Sequence, residues 1–110
     1  SRDPLWSRPM ESIADRVRRK QPEVKVICAY LELMPPNLAV STAKMIAEGI
    51  TSIRILPLFL GLGKHVKEDL PGLVNSLRQD HPGVSFRLLP VAGEDVRVLQ
   101  LLADIALDQV

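Results

Sequence analysis

The sequence has few of the features of secreted or membrane proteins. It contains one cysteine, Cys28, so no internal disulfide can form. No apolar run reaches the ~20 residues that a membrane span needs, because Pro57, Gly61 and Gly63 interrupt the longest candidate. Nothing at the start has the pattern of a signal peptide. These absences predict a cytoplasmic protein with no membrane partner.

An excess of charge of either sign is also missing. Fourteen Lys and Arg oppose thirteen Asp and Glu, which gives a net charge of +1, so no global field attracts a polyanion such as DNA. A basic run at residues 16–20 lies at the end of a predicted helix, where it complements the helix dipole. Aromatic residues do not interleave with it, as they would in a nucleic-acid site. We therefore expect no nucleic-acid partner, and we expect local charges to hold any anionic ligand.

The length and the 46% hydrophobic content predict a single domain over residues 1–110 with one core. Apolar residues at helical spacing predict four helices, at residues 6–21, 37–48, 66–79 and 95–106. Apolar, strand-forming runs predict three strands, at residues 24–31, 53–60 and 84–89. The second is kept as a strand although Pro57 cannot donate to a sheet ladder.

Helices that alternate with strands imply crossover connections, and therefore an α/β fold with a parallel sheet flanked by helices on both faces. The chain opens with turn-forming residues, Ser1-Arg2-Asp3-Pro4, and no strand before them. We therefore expect a first strand upstream of Ser1.

Ligands of an open parallel sheet bind beyond the carboxyl ends of its strands. Three features fall at such ends: Ser1-Arg2 after the expected upstream strand, Glu32 after the strand at 24–31, and Gly63-Lys64-His65 after the strand at 53–60. A carboxylate and an imidazole are thus predicted on one rim. Nitrogen and oxygen donors with open positions suit Fe(II), Co(II) or Ni(II) better than a closed zinc site.

Each of these residues also has a simpler interpretation. Glu32 could cap the following helix, and a single loop histidine such as His65 is more often structural or solvated than catalytic. Lys64 and Lys67 could be solvated charges. Cys28, inside a predicted strand, is expected to be a buried and unreactive thiol.

Three blocks of the sequence resemble the short sirohydrochlorin cobaltochelatases and their ferrochelatase relatives. The blocks read SRDPLW at residues 1–6, AYLELMPPNL at residues 29–38 and ILPLFLGLGKHVKEDLPGL at residues 55–73. A looser similarity continues through HPGVSFRLLPVAGED at residues 81–95, so that the resemblance covers nearly the whole chain.

The resemblance implies a class II chelatase fold of flavodoxin-related topology and metal insertion without ATP, a lyase activity. It implies that His65 and a second histidine bind the metal or accept protons, with Glu32 assisting. Family members carry a second histidine in an HG that precedes SRDP; either these residues lie upstream of Ser1, or this copy is impaired. The substrate's carboxylates are expected to bind Ser1, Arg2 and Lys64, Arg2 through its planar guanidinium.

The function expected on these grounds is insertion of Co(II) into sirohydrochlorin in cobalamin biosynthesis, with the metal as substrate and no permanent cofactor. Fe(II) or Ni(II) insertion is an alternative, because His and carboxylate ligands discriminate weakly among these ions. Another alternative is a non-catalytic metal or tetrapyrrole carrier, because the HG of the family pattern is not present before SRDP. A homodimer is expected, since long chelatases of this class look like two fused copies of such a unit. The fourth predicted helix carries two apolar stripes: Val98, Leu101, Leu102 and Ile105, and Val96, Leu99, Ala103 and Ala106. One stripe can cover the sheet, and the spare stripe also favours association.

Overall fold

A computed structural model of the chain describes residues 4–31, 35–61 and 63–109, with the backbone alone at residues 4–7 and 65. Its elements, in chain order, are α1 (Pro4–Lys20), α2 (Leu38–Ala47), β1 (Ser52–Ile55), α3 (Lys64–Asp80), β2 (Ser85–Leu88), a short 3-10 helix (Ala92–Glu94) and α4 (Val96–Ala106). The chain divides into two compact units, Ser1–Ile50 and Thr51–Val110. The single domain over residues 1–110 stays a prediction. Among the described residues, no helix combines the length and the hydropathy needed to cross a membrane.

The sheet lies in the second unit. β1 and β2 pair in parallel, with Ile53 opposite Phe86, and both side chains are buried. Parallel strands need a crossover, which α3 supplies. α3 packs against β2 and buries Leu70, Val74 and Leu77, the i, i+4 and i+7 positions of one helical face. The predicted α/β class, with helices flanking a parallel sheet, is confirmed.

The segment predicted as the first strand is not a strand. Residues 24–31, all described, form one isolated parallel bridge, between Tyr30 and Asn37. The Arg18 guanidinium donates to the carbonyl oxygen of Val26 at 2.9 Å, so a side chain satisfies a backbone acceptor that a neighbouring strand would otherwise use. A strand-forming composition did not suffice here, because a strand also needs a partner.

The second strand is shorter than predicted. β1 ends at Ile55, although the apolar run continues to residue 60. Pro57 has no amide hydrogen to donate to a ladder, and regular pairing stops before it. The backbone nevertheless stays attached to the segment after β2, through Leu89 N–H donating to the Ile55 carbonyl at 2.9 Å and Ala92 N–H donating to the Pro57 carbonyl at 3.0 Å.

Side-chain caps fix the starts of two helices close to their predicted positions. The Asn37 side chain accepts from the Val40 amide at 2.8 Å at the start of α2. The Asp95 carboxylate accepts from the Arg97 amide at 2.8 Å at the start of α4. Both residues satisfy helix amides that would otherwise lack a partner.

Asp95 should make stability depend on pH in the acidic range. Hydrogen bonds from Arg97, first from its side chain and then from its backbone, lower the pKa of Asp95 from 3.8 to about 2. A carboxyl group whose pKa falls on folding stabilises the protein above its unfolded pKa, and that contribution is lost as the pH falls through the folded pKa. Asp95→Asn keeps a capping side chain but cannot titrate. Between pH 3.8 and about 2, thermal unfolding followed by circular dichroism should show a shallower loss of stability for this variant than for the wild type. Equal slopes would contradict the prediction.

Cys28 lies in the irregular segment after α1 rather than in a strand, and it is half-buried. Burial, followed by the charge of the Glu11 carboxylate and a hydrogen bond with it, raises the pKa of Cys28 to about 11. The Arg18 charge acts in the opposite direction and is outweighed. This shift supports the expectation of an unreactive thiol, although the neighbouring arginine was not anticipated.

At pH 8 only about one Cys28 in a thousand should be a thiolate, because the thiolate fraction falls tenfold for each unit below the pKa. Iodoacetamide should therefore modify the folded protein far more slowly than the urea-unfolded protein. Glu11→Gln should speed the reaction of the folded protein, since it removes the negative charge near the sulfur, whereas Glu23→Gln serves as the control. Equal rates for folded and unfolded wild type would refute the shielding of Cys28.

Candidate functional site

The carboxyl end of β1 leads into the start of α3. Gly63 is the N-cap residue, in an extended conformation with φ −64° and ψ 158°, and no side chain caps the helix there. The Lys67 amide donates to the Gly63 carbonyl at 3.0 Å, which closes the first helical turn. Lys64 and His65 therefore lie in the first turn of α3. The expectation of a loop through His65, with the helix beginning at residue 66, was wrong, because the backbone turns helical immediately after Gly63.

The structure describes only some of the predicted site residues. Ser1, Arg2 and Glu32 lie outside the described residues, and of His65 only the backbone is described. Lys64 is exposed, as both the substrate-binding and the solvated interpretation require. In the described part of the chain, no three His, Cys, Asp or Glu side chains gather around a point where a metal ion could bind. The meeting of Glu32 with His65 stays a prediction.

Gly93 was not predicted as a functional residue, but it supports the segment that leads to His65. It is buried in the 3-10 helix, and its amide donates to the Phe59 carbonyl at 2.8 Å. A Cβ atom at this position would overlap the backbone of Leu60. Only glycine permits so close an approach. The one signal of its importance in the sequence was its position within residues 81–95, the last segment that resembles the family.

A cleft lies at the carboxyl ends of both strands, where the topology predicts a ligand site. Its volume is about 230 Å³, and most of its wall is apolar, formed by residues that include Pro57, Leu70, Leu88 and Leu89. Among the described residues of its lining, the two charged ones are Lys67, in the first turn of α3, and Glu94, in the 3-10 helix. A wider depression of about 510 Å³ runs along α1, but it is lined by one helix alone and is open surface.

Comparison with known proteins places this geometry in a family. The family model described as CbiX matches residues 1–108. The chain is 31% identical over 96 residues to a sirohydrochlorin cobaltochelatase of Methanosarcina acetivorans, an alignment that covers 87% of this chain and 70% of the relative. It is 28% identical over 81 residues to a sirohydrochlorin ferrochelatase of Priestia megaterium, over 74% of this chain and 30% of the relative.

The fold agrees with that of a solved structure. The crystal structure of a CbiX protein from Marinobacter aquaeolei VT8 superposes with a TM-score of 0.79 at 26% sequence identity. The match covers 99% of this chain and 88% of the other. With one family model spanning nearly all of the sequence and a shared fold over the same length, the chain belongs to the CbiX family.

Proposed function

We propose that this protein inserts a divalent metal ion into sirohydrochlorin, with Co(II) as its principal metal in cobalamin biosynthesis. The observation that carries the proposal is the match of residues 1–108 to the CbiX family, together with relatives named as sirohydrochlorin chelatases. The start of α3 at the carboxyl end of β1 supports it, since a ligand site belongs at that edge of a parallel sheet.

The surroundings of the two glycines before His65 also support a bulky ligand. Neither Gly61 nor Gly63 has a positive φ. Apart from its chain neighbours, no described residue has a heavy atom within 4 Å of a Cβ atom added to either glycine. The fold itself therefore does not require glycine at these positions. A planar macrocycle that approaches the backbone closely would require it.

Metal insertion has three requirements. The protein must hold the macrocycle, desolvate the cation and accept the inner N–H protons that leave as the metal–nitrogen bonds form. We assign His65 as metal ligand and proton acceptor, because a neutral imidazole can serve in either role near neutral pH. Glu32 is assigned as second ligand or auxiliary base, and its negative charge would offset that of the ion during transfer. Ser1, Arg2 and Lys64 are assigned to the carboxylates of the substrate.

A direct assay tests the proposal. Purified protein is incubated anaerobically with sirohydrochlorin and with Co(II), Fe(II) or Ni(II) in separate reactions, and the absorbance change of the macrocycle is followed against protein-free reactions. We expect acceleration with all three ions and the highest kcat/KM with Co(II). Binding of sirohydrochlorin without acceleration by any ion would instead identify a carrier.

Iron insertion is the second candidate function. It is favoured by the match to the Priestia megaterium protein named as a sirohydrochlorin ferrochelatase. His and carboxylate ligands alone do not separate the two ions. A higher kcat/KM with Fe(II) than with Co(II), measured in the same assay, would decide for it.

We further propose that the protein acts as a homodimer in the cytoplasm. α4 has no buried residue, and several of its large apolar side chains are exposed, from both predicted stripes: Val96, Leu99, Leu101, Leu102 and Ile105. The expectation that one stripe would be covered by the sheet was wrong for these side chains. An apolar helical face of this extent favours association with a second copy.

Leu99→Glu should weaken that association, because it places a charge on the apolar face of α4. Sedimentation equilibrium should show a dimer for the wild type and a shift towards monomer for the variant. Gln100→Glu, which adds a charge at the next, already polar and exposed position, should leave the dimer intact. If Leu99→Glu sediments as the wild type does, α4 is not the dimer surface.

A further inference from the structure

The cleft at the carboxyl ends of β1 and β2 has a composition that the assigned metal ligands do not explain. Its apolar wall combines the proline after β1 with residues that follow β2 and with one face of α3. Pro57 and Leu70 are buried, whereas Leu88 and Leu89 are half-buried and present surface to the cleft. Such a wall suits the edge of an aromatic or pyrrolic ring rather than a hydrated ion.

The size of the cleft limits its occupant. Whole drug-sized ligands occupy pockets of roughly 300–1,000 Å³, and the cleft measures about 230 Å³. A complete tetrapyrrole does not fit, but one ring with its substituents does. The rest of the macrocycle would have to extend outwards from the cleft.

The charged residues that line the cleft indicate a ligand ring with an acidic substituent. Lys67 lines the cleft from the first turn of α3, two residues beyond His65, and its side chain is exposed. Among the ion pairs of the described residues, none involves Lys67 or Glu94. The Lys67 ammonium group is therefore available to a ligand carboxylate. The Glu94 carboxylate lines the same cleft and would repel the ligand carboxylate.

We propose that this cleft is a subsite for one carboxylate-bearing pyrrole edge of the tetrapyrrole, with Lys67 binding the carboxylate and Glu94 limiting the affinity. The inference rests on the proposed function and specifies which surface holds the substrate. The ring edge packs against the apolar wall, and the substituent carboxylate meets the Lys67 ammonium at the mouth. The opposed charge of Glu94 keeps binding weak enough for the metallated product, which carries the same carboxylates, to leave.

The test compares charge-removing variants with matched controls in titrations of metal-free sirohydrochlorin, followed by absorbance. Lys67→Gln should raise the Kd about 3- to 10-fold, and Glu94→Gln should lower it about 2- to 5-fold, as expected for charges near an exposed site. The controls are Lys44→Gln and Glu68→Gln, two exposed residues that do not line the cleft. Their Kd should stay within about 2-fold of the wild type, since neither side chain lines the cleft and exposed charges are screened by salt.

A neutral probe separates charge from packing. The fully esterified macrocycle has no carboxylate, so Lys67→Gln and the wild type should bind it with equal Kd. If both variants bind sirohydrochlorin as the wild type does, while the wild type still inserts metal, the subsite is wrong and the proposed function stands. If the wild type does not bind sirohydrochlorin at all, both fail.

Discussion

His65→Ala should lower the rate of metal insertion by at least about 100-fold, the usual scale for loss of a positioned acid–base group. His65 is one of two histidines in the sequence and lies in the first turn of α3, directly beyond the carboxyl end of β1. Its imidazole is assigned both to the metal and to the departing protons. Removal therefore affects two steps of the reaction, and added free imidazole should restore part of the rate.

His81→Ala is the matched control for this variant. His81 caps the other end of the same helix, where its ring centroid lies 6.3 Å from that of Phe86, away from the carboxyl ends of the strands. It should keep its activity, with any loss of stability measured by thermal unfolding. Lys64→Ala should lose about 5-fold or less, as is typical of an exposed charge. A His65→Ala protein with normal cobalt insertion would refute the assignment.

The helices were the most predictable part of this fold, because their signals are local. Apolar spacing fixes the face of α3 that buries Leu70, Val74 and Leu77, and the side chains of Asn37 and Asp95 mark two helix starts. The start of α3 was misplaced because Gly63 ends the extended segment through its backbone conformation. No side chain at that position announces the cap.

The strands were less predictable because pairing is not local. The segment 84–89 contains β2 nearly as predicted, whereas the equally strand-like segment 24–31 forms only the bridge at Tyr30 among the described residues. Composition does not distinguish the two, since each depends on a neighbour elsewhere in the chain. Arg18 donates a hydrogen bond to the Val26 carbonyl oxygen, and the sequence pattern of its helix does not predict this contact.

The residues of the candidate site also differ in how far the sequence predicts them. The position of Lys64 and His65 beyond a strand end followed from topology, and the structure places both at the start of α3. Glu32, Ser1 and Arg2 lie outside the described residues and depend on the family resemblance. Lys67, Glu94 and Gly93 gain their importance from contacts between separate segments, which periodicity and spacing do not reveal.

Gly93→Ala should both destabilise the protein and impair metal insertion. The added methyl group would overlap the Leu60 backbone, so either the 3-10 helix or the segment that leads to His65 must move. Overpacking of this kind costs typically about 1–3 kcal/mol, which corresponds to a thermal midpoint lower by roughly 5–15 °C for a domain of this size. The movement also strains the hydrogen bond from Gly93 to Phe59. Circular dichroism and the insertion assay, run below the lowered midpoint, measure the two effects separately.

Gly72→Ala is the control, because it adds the same methyl group in the interior of α3. There, apart from the chain neighbours and the helix's own backbone, no described heavy atom lies within 4 Å of it. Alanine is favoured over glycine in a helix by roughly 1 kcal/mol, so this variant should be more stable than the wild type and equally active. The two substitutions differ in sign because Gly93 has no room for a methyl group, whereas Gly72 has room for one and lies in a helix that favours alanine. A Gly93→Ala protein as stable and as active as the wild type would show that the contact with Leu60 does not position the segment before His65.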